Sequence, residues 1–419
     1  MNSTGEPSRG GGGRDGKAGK DTVRRHNLSL VLRAVYEEGE ATRAAVAARV
    51  GLTRAAVSSL VEQLLAGGLL SERGKTFSGQ AGRPGTALRV ADTGPAGLGV
   101  EVNVDYVSVC VVDLAGADRV RLTEHRDNRG VPPEEVLARA ARMAGRALES
   151  AAERGLRAVG ARLALPGLVS GGSVRQAPNL GWDRVGVEEL FAGALGEAAG
   201  LGGPAVGVDN EANAAALAEL WFGGTGTASG ARSFVYLTGE IGVGGALVVD
   251  GSLLRGAHGF AGEIGHLVVD ADGPRCRCGS RGCLERYAGQ AALLRGAGIE
   301  ESAGAAGVAE LAARARRGEP RAVQALERAG RMLGLAVSGA VNLLDPDAVV
   351  LGGVFRPLME WLGPAAEREL ADRVVSGLWA VGSGRLRASS SSGDAARGAA
   401  AVVVRGVLAD PAGYAAPPV

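Results

Sequence analysis

The sharpest chemical constellation in this chain is His266, Cys276, Cys278 and Cys283, with nine, one and four residues between successive members. Three thiolates and an imidazole form a tetrahedral donor set for Zn²⁺, and a set with no open position is structural rather than catalytic. Residues 275–282 are rich in Gly and Arg and offer little core of their own, so a cation could order them. The competing reading is a group of reduced thiols with no common partner. A second constellation places acids and an amide in Gly-rich loops: Asp209-Asn210-Glu211, Gly262-Glu263 and Leu284-Glu285. Carboxylates and an asparagine at strand ends or helix starts can hydrogen-bond the hydroxyls of a sugar. Taken singly, each could equally be a capping or surface acid. Glu211 would open a helix over 212–220, where the helix dipole favours an anion. A metal-bound His266 keeps a free ring edge that could still touch a ligand.

These groups need a scaffold, and the 419 residues, 46% of them hydrophobic, are enough for two or three domains with real cores. No run of about 18 uncharged apolar residues exists, so a transmembrane helix is not expected. The first 21 residues lack the apolar stretch of a secretory signal. The four cysteines are too few and too clustered for a disulfide scaffold, and a cytoplasmic protein is the expectation. Charge is uneven. Residues 1–90 hold 14 Lys+Arg against 8 Asp+Glu, a net of +6, while the remainder carries −5. A basic front on an acidic body suggests a nucleic-acid partner for the front alone.

The front has a matching pattern. Residues 1–21 read as a disordered Gly/Arg-rich tail. From Thr22, the residues Leu28, Val31, Leu32, Val35 and Tyr36 recur at helical spacing, and a short helix follows Thr42. Gly51-Leu52 makes a turn, and Thr53 is placed to N-cap a third helix carrying Val57, Leu60, Val61, Leu64 and Leu65. That is helix-turn-helix spacing. Strands over 69–73 and 87–90, around Gly82-Arg83-Pro84-Gly85, complete a wing, so a winged helix is expected over 22–90. Its third helix would present Thr53, Arg54, Ser58 and Ser59 to a major groove, with Gln63 further along. Arg83 on the wing would enter a narrow minor groove or pair with a phosphate. Beyond Gly97, strand meanders followed by helices recur twice, the pattern of two α/β lobes. Their expected limits are 95–205, joined by a last helix at 395–410, and 206–394, which contains the metal loop 266–283.

The stretch from Gly259 to His266 and on through Cys276-Arg277-Cys278-Gly279-Ser280-Arg281-Gly282-Cys283-Leu284-Glu285 resembles the signature of the ROK family of repressors, open reading frames and sugar kinases. Leu165-Pro166-Gly167, Ala177-Pro178-Asn179-Leu180, Asn210-Glu211-Ala212-Asn213 and Val350-Leu351-Gly352-Gly353 add to it. The resemblance spans about 95–410. It implies a two-lobed actin/hexokinase-like (ribonuclease-H-like) fold with sugar in the cleft, held by Asn210, Glu211, Glu263, His266 and Glu285. The amino-terminal winged helix is what the repressor branch adds.

The same resemblance argues against catalysis. Family kinases open with an Asp-x-Gly-Gly-Thr phosphate loop, and this chain has Glu101-Val102-Asn103-Val104-Asp105. Their second loop is Gly-Thr-Gly-Ile-Gly, and this chain has Thr238-Gly239-Glu240-Ile241-Gly242. Glu211 stands where the kinases carry their Asp base. The expectation is a sugar-responsive repressor of carbohydrate genes, not an enzyme, with a structural Zn²⁺. It would bind an inverted-repeat operator as a homodimer or tetramer and sense a sugar or sugar phosphate, with no membrane partner. The alternative is a sugar kinase fused to a DNA-binding domain, with Glu211 as its base.

Overall fold

A computed structural model describes residues 15–76, 85–199, 204–223, 231–375, 377–390 and 394–414. The expected turn bearing Arg83 lies outside them. The chain begins with helix α1 (Asp15–Glu38), seven residues ahead of the expected start at Thr22. The polar run through Lys17 and Lys20 continues the helix without adding to its buried face, so hydrophobic periodicity could not mark where it starts.

A minimal strand β1 (Ala41–Thr42) leads into α2 (Arg43–Val50). Thr42 caps α2 through Oγ1, which accepts from Ala45 N at 3.2 Å. Gly51 ends it at φ +71°, a conformation that a side chain would strain. Helix α3 (Arg54–Ala66) follows, with Val57, Leu60, Val61 and Leu64 buried. Strands β2 (Leu70–Thr76) and β3 (Gly85–Val90) pair antiparallel, and β3 also pairs with β1. The helix-turn-helix and its wing are therefore present as expected.

Three residues separate this module from the first lobe. Strands β4 (Gly94–Val102), β5 (Tyr106–Asp113) and β6 (Asp118–His125) form an antiparallel meander. Helix α4 (Pro133–Ala152) leads to β7 (Leu156–Leu165), parallel to β4. A small three-stranded sheet, β8 (Leu168–Ser170), β9 (Ser173–Ala177) and β10 (Trp182–Val185), delivers Asn179 to the cleft. After α5 (Val187–Ala199), strand β11 (Val206–Asn210) adds parallel to β7. That corrects the expected boundary at 206: β11 completes the first sheet, in the order β11-β7-β4-β5-β6, and the second lobe starts later. A short apolar strand shows its burial in the sequence but not its neighbour, because the pairing is non-local.

Helix α6 (Glu211–Phe222) then crosses to the second lobe. There β12 (Phe234–Gly239), β13 (Val243–Val249) and β14 (Ser252–Leu253) repeat the meander. Helices α7 (Glu285–Ala288), α8 (Gln290–Ala297), α9 (Gly304–Arg316) and α10 (Pro320–Leu344) precede β15 (Ala348–Gly353), parallel to β12. Helix α11 (Phe355–Arg373) and β16 (Leu386–Ala388) finish a sheet ordered β14-β13-β12-β15-β16, the same topology as the first. No described helix is long and apolar enough to cross a membrane by itself.

The final helix α12 (Ala395–Ala409) returns to the first lobe, as expected, and it fixes the architecture. A Cβ added at Gly99 of β4 would overlap the carbonyl oxygen of Ala396, and one at Gly97 that of Ala400. On another face, a Cβ at Gly398 would overlap the carbonyl of Ala214 in α6. The outer face completes the winged-helix core: Ala396, Ala400, Val404, Val407 and Leu408 are buried in one cluster with Leu28, Val31, Leu32 and Val35. Ser29 Oγ donates to Leu408 O at 2.8 Å, and Arg25 pairs with Asp410. The winged helix thus shares a core with the body. Gly99→Val should lower unfolding free energy by about 2–3 kcal/mol, because neither backbone can retreat. Gly193→Ala in α5, where an added methyl meets nothing, should raise it by about 0.5–1 kcal/mol. Urea midpoints of the two variants check both values.

Candidate functional site

The cleft between the lobes is lined by all five expected sugar-site residues, together with Asn103, Asn179, Glu240 and Arg277. Asn210 is the N-cap of α6. Its Oδ1 accepts from Ala212 N at 2.8 Å and Asn213 N at 3.3 Å, while Nδ2 donates to Gly167 O at 2.9 Å. Most of its hydrogen-bonding capacity therefore shapes the pocket wall. Its neighbour Asp209 points away from the cleft, into a two-pronged ion pair with Arg255 at 2.6 and 3.0 Å and a bond from Asn213 Nδ2 at 3.0 Å. That pair ties the loop leading to Glu263 against β11. Sequence reasoning missed it, since nothing in the spacing joins Asp209 to Arg255.

Glu211 begins α6, and its Oε2 is buried without a hydrogen-bond partner. An acceptor left unmade in this way costs about 1–3 kcal/mol, which a ligand hydroxyl would recover. Burial first, then the charges of Glu101, Glu240 and Glu263, push its carboxyl well above the usual range. Glu101 accepts from Tyr106 Oη at 2.5 Å and is pushed up to about 7, chiefly by burial. Glu240 reaches about 8, from burial and then from Glu101 and Asp105. The floor of the cleft is thus a cluster of carboxyl groups that raise one another, with no cation between them.

The opposite wall holds the cysteines. Cys278 and Cys283 sulfurs lie 3.7 Å apart, Cys276 Sγ lies 3.9 Å from His266 Nδ1, and the four donor atoms are all within 4.8 Å of one another. Metal–sulfur bonds of about 2.3 Å in a tetrahedron give an edge of about 3.8 Å, so the set fits a tetrahedral cation. All three thiols are free of disulfides. His266 turns Nδ1 to this cluster and Nε2 toward Glu263 Oε2 at 3.9 Å. Glu285 accepts from Cys276 Sγ at 2.7 Å through Oε1, and its Oε2 lies against Gly242. Arg277, between two metal-ligand positions, reaches across to Asn179 Oδ1 at 3.0 Å. Its place in the Cys276-Arg277-Cys278 run was a signal that sequence reasoning passed over.

On the front module, Thr53 Oγ1 caps α3 by accepting from Ala56 N at 3.2 Å. Arg54 and Ser59 are exposed along one side of α3, with Ser58 half-buried beside them. Gln63, considered as a groove contact, instead accepts from Arg24 of α1 at 2.7 and 3.0 Å.

A family model described as "ROK family" matches residues 97–405. The chain is 29% identical over 341 residues to the xylose repressor of Caldicellulosiruptor bescii, a match covering 78% of this chain and 82% of the relative. The solved structure of a ROK family transcriptional regulator, a homologue of the E. coli MLC protein, superposes with TM-score 0.73 at 24% identity and covers 93% of this chain and 97% of its own. A ROK family glucokinase from Streptomyces griseus, solved with glucose and AMPPNP, gives TM-score 0.59 at 26% identity and covers 73% and 98%.

The raised carboxyls set a pH dependence. Their folded pKa values exceed the usual 4.5, so their protonated forms stabilise the fold below about pH 4.5, and that contribution is lost as pH rises through 7 and 8. Glu240→Gln should therefore raise the melting temperature at pH 8.5, by about 1–2 kcal/mol in stability, and change little at pH 4.5. Calorimetric scans of both proteins across that range check the sign.

Proposed function

The chain is a member of the ROK family, and on that premise we propose that it is a sugar-responsive, DNA-binding transcriptional repressor of carbohydrate genes. The observation that carries this reading is the continuity from cleft to winged helix. Helix α6 starts at Glu211, with its unpartnered oxygen in the pocket, and ends at Trp221 and Phe222. Arg405 of α12 stacks on Trp221 at 5.1 Å and on Tyr36 of α1 at 5.2 Å, and Arg397 stacks on Phe222 at 4.2 Å. A sugar hydroxyl bonded to Glu211 acts on one end of α6, and α12 passes the displacement to α1.

On this reading α3 enters the major groove with Thr53, Arg54, Ser58 and Ser59 on its contacting side, and Arg83 on the wing contacts the flanking groove or phosphate. A homodimer presents two such helices to an inverted repeat, where a small change in their separation weakens both half-site contacts. The named relative is a xylose repressor, which makes xylose the first sugar to test.

The cation we assign to His266, Cys276, Cys278 and Cys283 is Zn²⁺, which when bound supplies the fold of the loop carrying His266 and leading to Glu285. Phosphoryl transfer does not belong to this reading. A triphosphate entering the cleft would meet Glu101 and Glu240 in place of backbone N–H donors, and could stay only if both carboxyls were protonated. Sugar-dependent ATP consumption abolished by Glu211→Ala would overturn this and favour a kinase.

Two outcomes are expected. Operator affinity, measured on duplexes selected from random sequence, should change by about 5–150-fold with the cognate sugar. Glu263→Ala and Arg405→Ala should each retain binding and lose most of that change. A full response in Glu263→Ala would remove Glu263 from the sensing pocket. Elemental analysis should find about one Zn²⁺ per chain, as a Cys3His set requires. Cys278→Ser should lower the zinc content and the sugar response together, and zinc-free protein with a full response would refute the assignment.

A further inference from the structure

Beside the cleft, and sharing Asn179, Gly242, Arg277 and Glu285 with it, lies a second cavity of about 280 Å³. Its charge is the reverse of the carboxyl floor. Four guanidinium groups line it: Arg129 from the loop before α4, Arg277 from the metal loop, Arg286 of α7 and Arg295 of α8. Arg295 is taken up by Glu301, and Arg129 pairs at 3.1 Å with Asp127 while half-exposed. Arg277 spends one nitrogen on the neutral amide of Asn179. Arg286 has a buried Nε with no hydrogen-bond partner. Glu285, the remaining acid of the lining, already accepts from Cys276.

We propose that this cavity is an anion subsite continuous with the sugar cleft, taking a phosphate or carboxylate carried on the sugar. A buried guanidinium N–H with no acceptor is costly, and an anion oxygen is its strongest partner. Arg277 and Arg286 come from the second lobe and Arg129 from the first, so an anion bound among them bridges the lobes. The two ends of the site then sort a ligand by charge. Hydroxyls face Glu211, Glu240 and Glu263, and the anionic substituent faces the arginines. An anion in the reverse orientation meets the carboxyl floor and is rejected.

The inference rests on the sugar reading of the cleft, so its test starts from a probe that does not. Full-length protein is titrated calorimetrically with inorganic phosphate, glucose, xylose, glucose 1-phosphate and glucose 6-phosphate, in wild type, Arg286→Gln and Arg129→Gln. Arg129 is exposed in a loop, so its variant keeps the test valid if Arg286→Gln misfolds. Phosphate and at least one phosphorylated sugar should bind wild type, the sugar phosphate more tightly than its parent. Each variant should weaken both by about tenfold, the scale of one charge-assisted hydrogen bond, and leave the neutral sugars unchanged. Undetectable phosphate binding by wild type, or equal phosphate affinity in all three proteins, overturns the subsite. Phosphate binding that falls in the variants, with no binding by any sugar, supports the subsite and overturns the sugar reading instead.

Discussion

Everything in this molecule hangs on how closely one helix can approach its neighbours. Helix α12 lies against β4 at a distance only Gly97 and Gly99 permit, and against α6 at one only Gly398 permits. With two faces fixed by backbone contact, its third face is held at a set height, and Val404, Val407 and Leu408 form the floor on which α1 packs. Dispersion and apolar burial do the stabilising, but missing side chains set the geometry. Such an interface moves as a unit or not at all, which suits a helix asked to carry a displacement between a pocket and a DNA-reading module.

The cleft is organised by a second constraint, the segregation of charge. Carboxyls at Glu101, Glu211 and Glu240 share one end without a cation to neutralise them, and burial raises all three. Arginines and the cysteine cluster share the other. Arg277 sits where these regions meet, between Cys276 and Cys278, so the order of the metal loop fixes a group that faces both cavities. Structure at the cysteines and recognition at the cleft are therefore one problem for the chain.

Much of this was legible in the sequence, for identifiable reasons. Helix-period burial and a capping Thr53 gave the front module, because those signals are local. The metal set was readable because its ligands crowd into 18 residues, and the acids because they sit next to glycines and chain breaks. What escaped was non-local. Strand β11 joined the first sheet rather than the second through its pairing with β7, and Asp209 turned to Arg255 rather than to the cleft. Gln63 reads as a surface residue of α3 until Arg24 arrives from another helix. The shared core under α1 was hidden for the same reason: one half of it lies more than 350 residues from the other.

That shared core bears on attempts to rewire such a protein. A chimaera that exchanges the first 90 residues for another DNA-binding module would inherit half an interface. The incoming α1 would meet Val404, Val407 and Leu408 with side chains never fitted to them, and Arg405 would lose its place between Tyr36 and Trp221. The exchangeable unit is discontinuous, the front segment plus the outward residues of the last helix. A graft designed on that footing transfers the joint as well as the reader.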